Sequence, residues 1–86
     1  MILYFEDRYG ERSVIAEPNT HEEASIAITR FIDECNARRR AGAKPFVSYY
    51  TRSWLNDEGL IVYDVGSHSE FFLLDEKGDT NVSENP

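Results

Sequence analysis

The chain has 86 residues, room for one domain with one core and too few for two. Hydrophobic residues make up 41% and aromatics 13%, enough to pack a core and to exclude wholesale disorder. Sixteen Asp and Glu against nine Lys and Arg give a net charge of −7, which repels phosphate backbones and favours cationic partners. Cys35 is the single cysteine, so an internal disulfide and an intrachain cysteine-based metal cluster are both excluded.

From Met1 to Asp7 there is no basic leader region, and the apolar run stops after four residues, the pattern expected of a cytoplasmic protein. Residues 2–6 and 13–17 are rich in β-formers and flank a segment whose Gly10 suits a turn, so they read as a hairpin with Leu3, Phe5, Val14 and Ala16 on one face. Pro18 to Thr20 interrupts the strand. Thr20 followed by Glu23 is a capping box, in which each side chain bonds the other's backbone. Ala24, Ala27, Ile28, Phe31, Ile32 and Cys35 then recur at three- and four-residue spacing, which predicts a helix from His21 to about Arg40 with one buried stripe. Arg38, Arg39 and Arg40 suit the negative end of its dipole, and Gly42 with Pro45 supplies a stop.

Phe46 to Leu55 and Leu60 to Val65 form a second strand pair, turned by Asn56 to Gly59. If Leu55 faces Leu60, Trp54 opposes Ile61, Arg52 opposes Tyr63 and Tyr50 opposes Val65 on one face. Ser67 and Glu70 repeat the capping-box spacing before Phe71 to Leu74, a short apolar run that reads either as a helical turn or as an edge strand. The expectation is an α+β fold: an antiparallel sheet of order β-β-α-β-β plus a short C-terminal element, with one helix on one face. Residues 1–76 form the domain and residues 77–86 a flexible acidic tail.

Tyr50, Arg52, Trp54 and Tyr63 are the side chains that favour the energetic centre of a protein interface, and His68 and Glu70 add polar contacts nearby. The competing view is that this face packs on the helix. Asp64, Ser67, His68, Ser69 and Glu70 collect catalytic residue types, but adjacent residues point apart and the Gly-x-Ser-x-Gly elbow is missing, so no enzyme is expected and a small enzyme centred on His68 and Glu70 is kept only as the third alternative. No cofactor is implied. His21, His68, Asp64 and Glu70 lack a metal-binding spacing, and His21 fits the first helical turn. Arg38, Arg39, Arg40 and Lys44 form a basic patch that supports the alternative of RNA or DNA binding, with Tyr49 or Tyr50 stacking on bases. Successive helical residues diverge by about 100°, so the arginines do not share one flat surface.

The segments Tyr49 to Trp54 and Tyr63 to Phe72 resemble small phage or prophage accessory proteins of Gram-positive bacteria. The resemblance covers about a third of the chain. It implies a protein that modifies a host process by binding, such as an inhibitor of CRISPR or another defence nuclease. Carboxylates that imitate a phosphate array and occupy a basic enzyme's groove fit that implication. The partner expected is therefore a protein, with self-association also open.

Overall fold

The computed structural model describes residues 1–38, 52–66 and 69–78. It is an α+β fold: β1 (Ile2–Glu6), β2 (Arg12–Ala16), α1 (His21–Ala37), β3 (Arg52–Leu55), β4 (Ile61–Asp64) and β5 (Phe71–Asp75). The five strands make one antiparallel sheet in the order β2-β1-β5-β4-β3. The apolar run at residues 71–74 is thus neither a helical turn nor an edge. It is the central strand, which joins two hairpins that do not pair with each other. Its continuous hydrophobicity follows from position, since a central strand loses water on both faces. Phe72, Leu73 and Leu74 are all buried.

Both hairpins turn through the same device. Asp7 N–H donates to the Glu11 carbonyl (2.9 Å), Gly10 N–H donates to the Asp7 carbonyl (3.0 Å), and Asp7 Oδ1 accepts from the N–H groups of Tyr9 and Glu11. Asn56 repeats each bond, with Leu60 and Gly59 in the places of Glu11 and Gly10, and its Oδ1 accepts from Glu58 and Leu60. Gly10 and Gly59 have φ of 83° and 82°, the left-handed region that an L side chain enters at a cost. Asp75 begins a third such turn, with Lys77 N–H bound to its Oδ1 and Gly78 N–H to its carbonyl.

This turn corrects the expected register. Asn56 closes on Leu60, so Leu55 pairs with Ile61, Trp54 with Val62, Ser53 with Tyr63 and Arg52 with Asp64. The shift of one residue moves Tyr63 and Ile61 to the opposite face from Trp54 and Arg52. In the first hairpin a bulge between Leu3 and Tyr4 pairs Leu3 with Ala16 but Tyr4 with Val14. Val14 therefore leaves the face of Leu3 and Phe5.

The helix begins as expected, with Thr20 Oγ1 accepting from Glu23 N–H (3.1 Å), although the Glu23 carboxylate returns to Asn19 N–H rather than to Thr20. It ends at Ala37. Arg38 is the C-cap, and its Nε donates to the Glu34 carbonyl. Ala24 and Ile28 are buried against Leu3, Phe72, Leu74 and Val65, while Phe31 packs in T-shaped contact with Phe72 and tilted against Phe5. His21, at the helix start, pairs with Glu76 just beyond β5, tying the helix to the end of the central strand. Among the described residues, no helix is long and apolar enough to cross a membrane.

Candidate interaction face

The register divides the sheet into two faces. Phe5, Phe72 and Tyr63 form a row under the helix, and Leu3, Leu74, Ile61 and Leu55 form a second. On the helix-free face, Val14, Tyr4, Leu73, Val62 and Trp54 run across all five strands. Beside that apolar row runs a charged one, with Arg12 paired to Glu6 at one end and Arg52 paired to Asp64 at the other, and Phe71 between them.

The centre of the apolar row is dry although no helix among the described residues covers it. Leu73 and Val62 are buried, together with Leu60, and Tyr4 and Phe71 pack around them. Part of the cover comes from curvature. Arg12 reaches Glu58 through two hydrogen bonds, at 2.6 and 3.2 Å. In a flat sheet these residues would be far apart, because β2 and β4 are three strands apart, about 14 Å, and the turn carrying Glu58 lies at the opposite end of the strands from Arg12. The sheet is therefore coiled over its helix-free face, and the pair latches two diagonal corners. The fork-to-fork geometry pulls the Glu58 carboxyl below its ordinary value, chiefly through the hydrogen bonds from Arg12 and then through its charge. The Arg12 guanidinium is held even more firmly protonated by Glu58 and Glu6.

At the β3 end of the face, Arg52 lies over the Trp54 ring, 5.4 Å from its centroid, while its Nε donates to Asp64 Oδ2 at 3.2 Å. Trp54 meets the Phe71 ring edge-on at 6.3 Å and keeps 41% of its surface in water. Asp64 Oδ1 also accepts from Gly66 N–H, which pins the carboxylate that orients the guanidinium. The arginine and the indole are thus held in place before any partner arrives.

Of the residues that the sequence singles out, Arg52 and Trp54 share this face. Tyr63 does not: it lies under the helix, half-buried, and burial followed by the charge of Glu76 pushes its hydroxyl pKa up. Glu70 sits half-buried immediately before β5, and Ser69 is exposed beside it. Arg38 is exposed at the helix C-cap. Tyr49, Tyr50, Ser67, His68, Arg39, Arg40 and Lys44 lie outside the described residues. The sequence assigned none of Phe71, Tyr4, Arg12, Glu6 and Glu58 to an interaction face, and it put Val14 on the face of Leu3 and Phe5. Strand geometry puts Phe71 on the helix-free face, since successive residues of β5 point to opposite faces, 71 and 73 to one and 72 and 74 to the other.

Comparison with protein-family models, with curated proteins and with solved structures returned no match.

Proposed function

We propose that the chain is a non-enzymatic protein-binding module that presents its helix-free face to a partner. The observation that carries this reading is the Arg52–Trp54 pair, preset by Asp64 and Phe71 and left open to water. Tryptophan and arginine supply much of the binding energy in protein interfaces, and little side-chain entropy is lost when both are already placed. Phe71, Tyr4 and Val14 continue the surface, and the two ion pairs form its polar rim. The charge of −7 favours a partner with a cationic surface, which fits the resemblance-based expectation of a host defence nuclease or another nucleic-acid enzyme.

Capture from a lysate of the source cell, comparing tagged wild type with folded Trp54→Ala and Arg52→Ala, tests the reading. A protein retained by the wild type and lost by both variants supports it. Equal capture by all three defeats it, and retention of nucleic acid without a specific protein transfers the function to the arginines around the end of α1.

A further inference from the structure

The sheet has two edges, and they are built differently. β2 carries a bulge and lies nearest the helix, and a bulge is a device that keeps other strands away. β3 has no bulge or proline, its one charge is Arg52, held by Asp64 as Arg12 on β2 is held by Glu6, it pairs with β4 in unbroken register, and all four of its residues are exposed. Among the described residues β4 is its one neighbour.

The direction of its free backbone groups follows from the turn. Asn56 N–H donates to the Leu60 carbonyl, and ladder bonds in an antiparallel pair recur at alternate residues. Trp54 and Arg52 therefore direct their N–H and C=O groups toward β4, and Ser53 and Leu55 direct theirs outward. The side chains are open as well: Trp54 is 41% exposed on the helix-free face and Leu55 67% exposed on the other. A partner seated on one face covers only one of them. A strand laid beside β3 covers both and takes up the outward backbone groups.

We infer that this strand is β3 of a second copy, running antiparallel about a two-fold axis through Trp54. In that register Ser53 and the partner's Leu55 exchange both backbone bonds, and symmetry repeats the exchange. Trp54 meets its own counterpart at the closely spaced, non-hydrogen-bonded position, where aromatic cross-strand pairs are favourable. Arg52 falls opposite the partner's Asn56, so no like charges oppose each other. Two five-stranded sheets become one of ten strands, with both helix-free faces on the same side. The inference goes beyond the binding function proposed above and needs no outside partner to test.

Trp54 is the single tryptophan, so its emission and an exciton couplet in circular dichroism report the seam directly. Sedimentation of the full chain across a concentration series should show a reversible dimer, with emission moving to the red and the couplet fading on dilution. Ser53→Pro removes an outward donor but no bond to β4, and should weaken dimerisation by about tenfold or more while the helix signal stays. Leu55→Lys, which places a charge on the same edge, should do the same and guards against a folding defect in the proline variant. A monomer at every concentration overturns the inference, as does a dimer that survives both substitutions or forms without a change in Trp54. Partner capture by the monomeric Leu55→Lys variant would leave the binding function standing on its own.

Discussion

The two faces of the sheet are closed by different means. Under the helix, Phe5, Phe31 and Phe72 meet at ring distances of 4.8 to 5.5 Å, and Ala24 and Ile28 seal the row behind them. On the other face no element lies over Leu73 and Val62 among the described residues; coiling, flanking aromatics and the Arg12–Glu58 latch shelter them. The closure under the helix leaves Leu3, Phe72 and Leu74 at 0% exposure, although Leu55 at its β3 margin is 67% exposed. The other is open at its margins, where Val14 and Trp54 remain 52% and 41% exposed. A 17-residue helix cannot cover a five-stranded sheet, and the uncovered part is where surface for a partner remains.

Neighbouring residues of β5 make the comparison measurable, because they point to opposite faces of one strand. Phe72→Ala should cost about 3 to 5 kcal/mol, most or all of the stability of a domain this small. Leu73→Ala empties a site whose neighbours can collapse, and should fall toward the low end of its class, about 2 to 3 kcal/mol. Urea melts of both variants give the two numbers. If Leu73→Ala proved as costly as Phe72→Ala, the helix-free face would be a second rigid core and the contrast would fail.

The two matched turns offer a smaller probe. A Cβ added at Gly10 or Gly59 would meet nothing within 4 Å, so each alanine substitution carries only the penalty of its positive φ. That penalty is about 1 kcal/mol in each case, and thermal melts should rank the two variants alike. A greater loss at Gly59 would mean that its turn contributes through the latch on Glu58 as well as through its own backbone.

Much of this architecture was readable in the residues. Local signals sufficed for the Thr20 cap, for the helical stripe from Ala24 to Phe31, and for both hairpins, because each depends on bonds between residues close in sequence. Non-local features were harder to read. The register of β3 against β4 turned on whether Leu60 belongs to the turn, which the Asn56 side chain decides by binding Leu60 N–H. The Asx-x-x-Gly pattern at residues 7, 56 and 75 carried that information. The placement of β5 between the hairpins depends on pairings across 60 or more residues, for which a four-residue apolar run holds no address, although its lack of alternation marked a strand buried on both faces. Half of the candidate site was legible for the same reason. Arg52 and Trp54 are neighbours within one strand, whereas Phe71, Tyr4 and Arg12 join them only through the sheet order.

The smallest expected effect tests the latch itself. Hydrogen bonds from Arg12 hold the Glu58 carboxyl below its ordinary value of 4.5, so the folded state binds the Glu58 proton less readily than the unfolded chain does. For a lowered carboxyl the sign is fixed: its contribution to stability is complete above the unfolded value and disappears as pH falls through the folded one. Glu58→Gln keeps the shape and one acceptor but removes the charge. The variant should melt slightly below wild type at neutral pH, and the gap should narrow as acid protonates Glu58 in the wild type. Both groups are well exposed, so added salt should also shrink the gap at neutral pH. A gap that persisted unchanged in acid and in salt would place the effect in the packing of the turn, leaving the coil of the sheet to be held by Tyr4, Leu73 and Phe71 without help from the charges above them.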